Sequence, residues 1–307
     1  MKTVAITGNK DLVHTAPARN TADLTAEPAS VDRTTRKTRQ LARWLGFVPV
    51  SALLLIAIVG PAVVPYSTHD VVARPDLPPS TTHWFGTDAS GLDVFSRTIA
   101  ATQNNLMIGL LTTAIATALG ITLGVTVGMN ESRHGVFGVL ARSTSRAIDL
   151  TQSVPAIVVG MVLIAFFGSS VWSITLALSV VLLPNQTRLV RTEVLRVRSE
   201  AYLDAARLSG EKEFALIVRH VLPNSAWPAM ENASLVFGSA IVIAAGLGFL
   251  GVGLQPPTPE WGTMISTGAA SAAAGRWWSA LFPAIAIAIS VFAITGAGRR
   301  LFGDPTS

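Results

Sequence analysis

Residues 204–224 read DAARLSGEKEFALIVRHVLPN, a polar and charged stretch set between two long apolar runs. Half of the 307 residues are apolar, mean hydropathy is +0.50 and only 13% are charged. Soluble chains of this length carry roughly a quarter charged residues, so the balance points to a polytopic membrane protein. What an organised polar insert does in such a chain depends on the segments around it.

A helix that crosses a bilayer needs about 20 mostly apolar residues. Runs at 45–65, 105–129, 147–167, 171–187, 233–254 and 280–298 meet or approach that length, predicting an all-α membrane fold of about six spans. Asp149, Gln152 and Pro155 interrupt the third run near its start. Residues 1–40 have no apolar period and read as a disordered tail, ending in a basic cluster around Arg33–Arg43. Placing the N-terminus inside leaves only Arg74, Arg97 and Arg276 of the 23 basic residues outside. Lys and Arg are retained on the cytoplasmic side, so both termini and the 188–228 loop are expected there. The basic excess then records orientation in a lipid bilayer and calls for no nucleic-acid partner. The external loop, 66–104, reads as turns leading into an interfacial helix. The expected organisation is a tail at 1–40, a first helix with its external loop at 41–104, and a transmembrane core at 105–303 that holds the polar loop at 200–224.

The motifs exclude several chemistries. The chain has no cysteine, which removes disulfides, thiolate metal sites and Cys nucleophiles. It has no GxxxxGK[ST], so it does not bind ATP through a P-loop. His14, His69, His83, His134 and His220 all fall in the tail or loops and no HExxH occurs; a membrane-embedded enzyme lacks a nucleophile–base constellation, and no catalytic or metal-ligating residue is expected. A proton-coupled carrier would hold ionisable groups within the membrane, and only Asp149 and Glu231 come close, near the inner ends of their spans. Gly246, Gly248 and Gly251 match GxGxxG, but they lie inside an apolar run and read as helix packing rather than a nucleotide fingerprint. Ala116, Gly120, Gly124 and Gly128 recur every four residues, the pattern of a close helix–helix approach with a partner in this chain or another.

The opening stretch has its own periodicity. Tyr202, Ala205, Ala206 and Ser209 share one face of a short helix that Gly210 breaks. Ser209 would cap a second helix with Glu211 and Glu213 in its first turn, where the helix dipole favours anions. Phe214, Ile217, Val218, Val221 and Leu222 form a continuous apolar stripe, and Pro223 would stop the helix. The pattern fits a helix that merely joins two spans, and equally a docking element for a cytoplasmic partner.

At these residues the chain resembles the permease subunits of bacterial ABC importers, whose cytoplasmic loop carries the signature E-A-A-x3-G-x9-I-x-L-P. Asp204, Ala205, Ala206, Gly210, Leu222 and Pro223 match at full spacing; Asp204 replaces the usual Glu and His220 stands where Ile is typical. HWFGTDASGLDVFSR at 83–97 is similar to the HPFGTDxxGRDVxSR segment of dipeptide, oligopeptide and nickel permeases, and FLGVGLQPPTPEWG at 249–262 resembles that group's FLGLGxQPPxPxWG. Near the C-terminus Ala297 and Leu301 stand where the group usually has Asp.

The resemblance implies a type I ABC importer permease fold in the bacterial plasma membrane. It implies pairing with a homologous second permease, two cytoplasmic ATPases and an extracytoplasmic substrate-binding protein. Tyr202, Asp204, Ala205, Ala206, Arg207 and Gly210 would form the coupling helix seated in an ATPase groove. ATP and Mg would be cofactors of those ATPases and not of this chain. Asn104, Asp149 and Gln152 are candidate residues of the solute path, and the loop ending at Trp261, an interfacial aromatic, would meet the binding protein. The competing reading is a self-sufficient secondary carrier or channel. The solute could be a dipeptide, a longer peptide, a nickel complex or another small molecule.

Overall fold

The computed structural model describes residues 47–302; the expected tail, its basic cluster and residues 303–307 lie outside the described residues. The described elements are α1 (Val48–Val63), α2 (Val94–Asn130), α3 (Val136–Thr151), α4 (Ala156–Phe167), α5 (Val171–Arg198), α6 (Ala201–Leu208) and α7 (Glu213–Leu216). One π-turn, Ile217–Val221, carries α7 into α8 (Leu222–Phe249), followed by α9 (Trp261–Ala273) and α10 (Trp278–Phe302).

The longest helix begins where the external loop ends. Asp93 caps α2: its Oδ2 accepts from the Ser96 amide and hydroxyl at 2.8 Å each, while Oδ1 lies 2.8 Å from His83 Nδ1. A carboxylate that is 1% exposed is tolerated here because it satisfies free N–H groups at the positive end of the helix dipole. The expected interfacial helix before residue 105 is therefore the first turns of α2 itself.

Along α2 the small residues meet α5 of the same chain. A Cβ on Gly120, Gly124 or Gly128 would stand 2.5 Å from Gln186 Cβ, 2.6 Å from Val190 Cβ and 2.7 Å from Val194 Cγ1. Contacts that advance together in both helices make α2 and α5 parallel. Gly109 lies against Phe237 and Ile241 of α8, while Gln186 joins Thr117 of α2 to Ala229 of α8; Gly60 of α1 lies against Ile99, while the Tyr66 amide just past α1 donates to Ser96 Oγ. In both pairs the numbers rise in one helix as they fall in the other, so α1 and α8 are antiparallel to α2. Gly238 and Gly298 bring α10 antiparallel to α8, against Val291 and Ser234 respectively.

Among the described residues, four helical stretches are long and apolar enough to cross a membrane: 94–130, 171–198, 213–249 and 278–302. The expected third span is instead α3 and α4, bent by 99° at the break, and counting that pair as one span gives five. The break follows from Pro155, which lacks an N–H and drives the residue before it out of helical geometry. At the first expected run, 45–65, α1 has 16 residues, about 24 Å of helix against a hydrocarbon layer of about 30 Å. The fifth expected run, 233–254, is the far half of a helix that already starts at Glu213.

Burial separates the two ends of this bundle. One cluster, with Leu53, Leu106, Phe237, Trp261 and Trp278, gathers α1, α2, α8, α9 and α10. A second, with Val125, Val190, Val194, Leu203, Leu216 and Val221, sits where the polar loop returns. A third, with Ile108, Ile164, Leu178 and Leu247, fills the space between α2, α4, α5 and α8.

Gly124→Leu should force α2 and α5 apart and destabilise the fold by about 1–3 kcal/mol, the usual range for overpacking. Gly296→Ala, in α10 with nothing within 4 Å of the added Cβ, should be neutral or stabilising. Thermal unfolding of the two variants in the same detergent checks the contrast.

Candidate functional site

The polar loop folds as a helix, a turn and the start of the next span. In α6 Leu203 is fully buried, Ala206 and Arg207 are half-buried, and Tyr202, Asp204, Ala205 and Leu208 are exposed. Gly210 follows at φ +83°, its amide donating to the Arg207 carbonyl at 3.0 Å while the Glu211 amide reaches Ala206 at 3.2 Å. This pair of bonds is the Schellman ending, and it requires a left-handed residue at that position. Ser209 closes α6, its hydroxyl donating to the Ala205 carbonyl at 2.9 Å. It does not cap the second helix, which starts after Lys212.

Pro223 does not stop that second helix. The Leu222 amide bonds the Ile217 carbonyl five residues back, and this wider π-turn leaves room for the proline ring as α8 begins. The same turn shifts the buried face. Leu216 and Val221 are fully buried with Leu203, whereas Phe214 is 78% and Val218 is 46% exposed, so the stripe expected from simple helical spacing does not rest on the bundle as a unit.

Ionic contacts hold the loop to its neighbours. Asp204 Oδ1 accepts from Arg207 Nη1 at 2.9 Å within the same turn, so the shorter acid is already partnered on its own helix. Arg207 Nε and Arg133 Nη2 both lie 3.7 Å from the Glu213 carboxylate, linking α6 to the turn between α2 and α3. His220 Nε2 lies 3.2 Å from Glu211 Oε2 and its ring contacts Tyr202, whose hydroxyl accepts from Asn224 Nδ2 at 3.3 Å. Below the loop, Glu131 receives Arg191 in two bonds of 2.8 Å, and the Arg191 guanidinium holds the Glu131 carboxyl below the usual range.

Tyr202, Asp204, Ala205, Ala206, Arg207 and Gly210 thus sit together on one element. The exposed apolar side chains of Leu208, 90% exposed, and Phe214 flank them. Sequence reasoning placed Phe214 on the buried stripe and gave Leu208 no role; the glycine between them was the available signal that both lie at an outward turn.

The candidate path residues do not form one group. Asn104 is half-buried on α2 and its amide donates to the Pro259 carbonyl at 3.0 Å. Asp149 and Gln152 are exposed near the α3–α4 break. Gln152 lines a cleft of about 590 Å³ with Thr151, Ser153, Pro155, Pro184 and Asn185. Non-helical backbone within the span length is tolerated where it borders protein or water, not lipid.

At the opposite end the 249–262 motif is a buried structural element. Glu260, 2% exposed, caps α9 by accepting from the Gly262 and Thr263 amides at 2.7 and 2.8 Å. Burial pushes its carboxyl up, against the pull of those two N–H donors. A Cβ on Gly248 would run into the Glu260 carboxylate, which accounts for one glycine of GLGFLG. Trp261 is not interfacial: it is fully buried and its indole N–H donates to the Thr98 carbonyl at 3.0 Å. Gln255, Pro256 and Pro257 remain exposed. Asp76 pairs with Arg276 nearby. Among the described residues, Arg74, Arg97 and Arg276 lie at this end, and every other Lys and Arg lies toward the end that carries α6. No group of three or more described His, Asp or Glu residues is arranged to hold a metal ion.

Residues 120–302 match the family described as binding-protein-dependent transport system inner membrane component. The chain is 38% identical over 260 residues to the "Probable D,D-dipeptide transport system permease protein DdpC" of Escherichia coli K12, covering 84% of this chain and 83% of that protein. It is 38% identical over 270 residues to the dipeptide transport system permease protein DppC of the same organism, covering 85% and 88%. Its identity to the DppC protein of Alkalihalophilus pseudofirmus is 35% over 267 residues, covering 85% and 84%.

The Glu131–Arg191 pair sets a pH dependence. A depressed carboxyl adds stability that is complete above its ordinary value of 4.5 and is lost as pH falls through the lowered value. Glu131→Gln should therefore lower stability at neutral pH, and its deficit against wild type should shrink below about pH 4.5. Unfolding measured from pH 7 to pH 3 for both proteins checks the sign.

Proposed function

Because this chain belongs to the binding-protein-dependent transport system inner membrane component family, we propose that it is a permease subunit of an ATP-driven importer of short peptides, docking its ATPase through α6. The observation that carries this reading is the outward face of α6 and its Gly210 turn. Leu208 and Phe214 stand exposed beside Tyr202, Asp204 and Ala205, on a base anchored by the buried Leu203, Leu216 and Val221. A rigid base with apolar side chains left uncovered is what a helix seated in a partner's groove needs.

The names of the relatives support the peptide class, and the charge distribution supports the sidedness. The end holding α6 is the basic one, so it is the cytoplasmic side under the positive-inside rule. The ATPase subunits, with their ATP and Mg, meet the chain there; a binding protein delivers solute to the opposite end, where Gln255–Pro257 is exposed. A second, homologous permease completes the path, and this chain contributes Gln152 and its cleft. The chain supplies no chemical step: the energy comes from nucleotide binding and hydrolysis in the partner. Closure of the ATPase pair presses on α6, whose contacts to α5, α7 and the α2–α3 turn carry the displacement into the bundle.

Two measurements test this. The purified chain alone in vesicles should import no peptide, and uptake should require the second permease, the ATPase pair, binding protein and ATP; uptake by the lone chain would refute the reading. Leu208→Asp, at a side chain with no packing role in the fold, should weaken ATPase association by about 30-fold or more, as loss of a central apolar anchor does. Unchanged co-purification of the ATPase with that variant would remove α6 as the dock.

A further inference from the structure

Gln186 of α5 is fully buried, in a chain whose helix contacts are otherwise dominated by small and apolar residues. Its amide group is completely used. Nε2 donates to Thr117 Oγ1 of α2 at 2.9 Å and to the Ala229 carbonyl of α8 at 3.2 Å. Its Oε1 accepts from Asn232 Nδ2 of α8 at 3.0 Å. Three helices that share no turn of sequence are therefore joined at one side chain.

The position of this joint matters. It lies between the cluster that supports the polar loop and the clusters nearer the other end. Pro184 in α5 and Pro228 in α8 flank it, each removing one backbone bond and softening its helix at that level. Apolar contacts tolerate a sliding helix, but directional hydrogen bonds do not: a shift of one or two ångströms breaks all three. The loop that bears α6 connects the end of α5 to the start of α8, the two helices that Gln186 holds together. On the α2 side, Gly120 leaves no room between its own position and Gln186 Cβ.

Resting on the importer reading above, we infer that Gln186 is a positioning residue that makes α2, α5 and α8 move as one block when the docking helix is displaced. Without it, a push on α6 is absorbed by bending at Pro184 and Pro228 instead of reaching the solute path.

The test uses the complete complex, with binding protein, in vesicles. Gln186→Met keeps length and approximate volume while removing both donors and the acceptor; Thr117→Val removes one partner only. Gln186→Met should assemble with the ATPase pair and hydrolyse ATP, yet import about fivefold less solute per ATP, the factor that goes with one net hydrogen bond. Thr117→Val should shift the ratio the same way by less. The chain has no native cysteine, so spin labels on Leu195→Cys in α5 and Met230→Cys in α8 report the joint directly. Their distance distribution should be narrow with native Gln186 and broadened by Gln186→Met. An unchanged ratio in both variants, or lost uptake matched by an equal loss of assembled complex, would overturn the inference. If the native complex imported nothing with ATP, the importer reading would fail, and an unbroadened label distance would still count separately against the joint.

Discussion

The close approach of α2 to α5 is the contact on which the remaining architecture depends. Lipid supplies no hydrophobic drive between apolar helices, so association rests on packing and on the few polar contacts that packing brings into range. Gly120, Gly124 and Gly128 let the two backbones meet against Gln186, Val190 and Val194. With α2 and α5 joined in parallel, α8 fits antiparallel to α2 at Gly109, α10 follows on α8, and α1 rests on the opening turns of α2. The end of α5 is then aimed so that α6 emerges over a buried floor of valines.

That floor explains how a short helix can be both firm and available. Leu203, Leu216 and Val221 are each fully buried, and burying a large aliphatic side chain contributes about 1.5–3 kcal/mol, an upper figure because the unfolded chain already hides some surface. The ionic contacts around Glu213 and Arg207 are exposed and add less. They specify where the loop sits more than they hold it. The outward side chains make no comparable contact within the chain, which leaves them for a partner.

At the other end the same economy of polar groups appears in a different form. Asp93 and Glu260 are buried carboxylates, and each begins a helix by accepting from its first amides. Helix starts are among the few buried places where an acidic side chain finds donors already waiting. Both acids lie in the two outer motifs, 83–97 and 249–262, which therefore build the end of the bundle; within the second, Phe249–Gly251 and Gln255–Pro257 are left exposed. The α3–α4 break is the complementary case, where Pro155 opens the backbone and the cleft beside Gln152 and Asn185 receives it.

Several of these features were legible in the residues alone. Apolar runs located the helices, four-residue glycine spacing announced a crowded interface, and the position of Gly210 located the end of α6, because each is a local consequence of periodicity or of backbone freedom at a single residue. Other features needed the assembled chain. The partner of the glycine face, the burial of Trp261, the π-turn that carries the helix past Pro223 and the outward position of Phe214 all depend on which distant segment lies opposite. Spacing determines which side chains share a face; only the tertiary structure decided which face is covered, because burial and hydrogen-bond satisfaction belong to pairs of segments far apart in sequence.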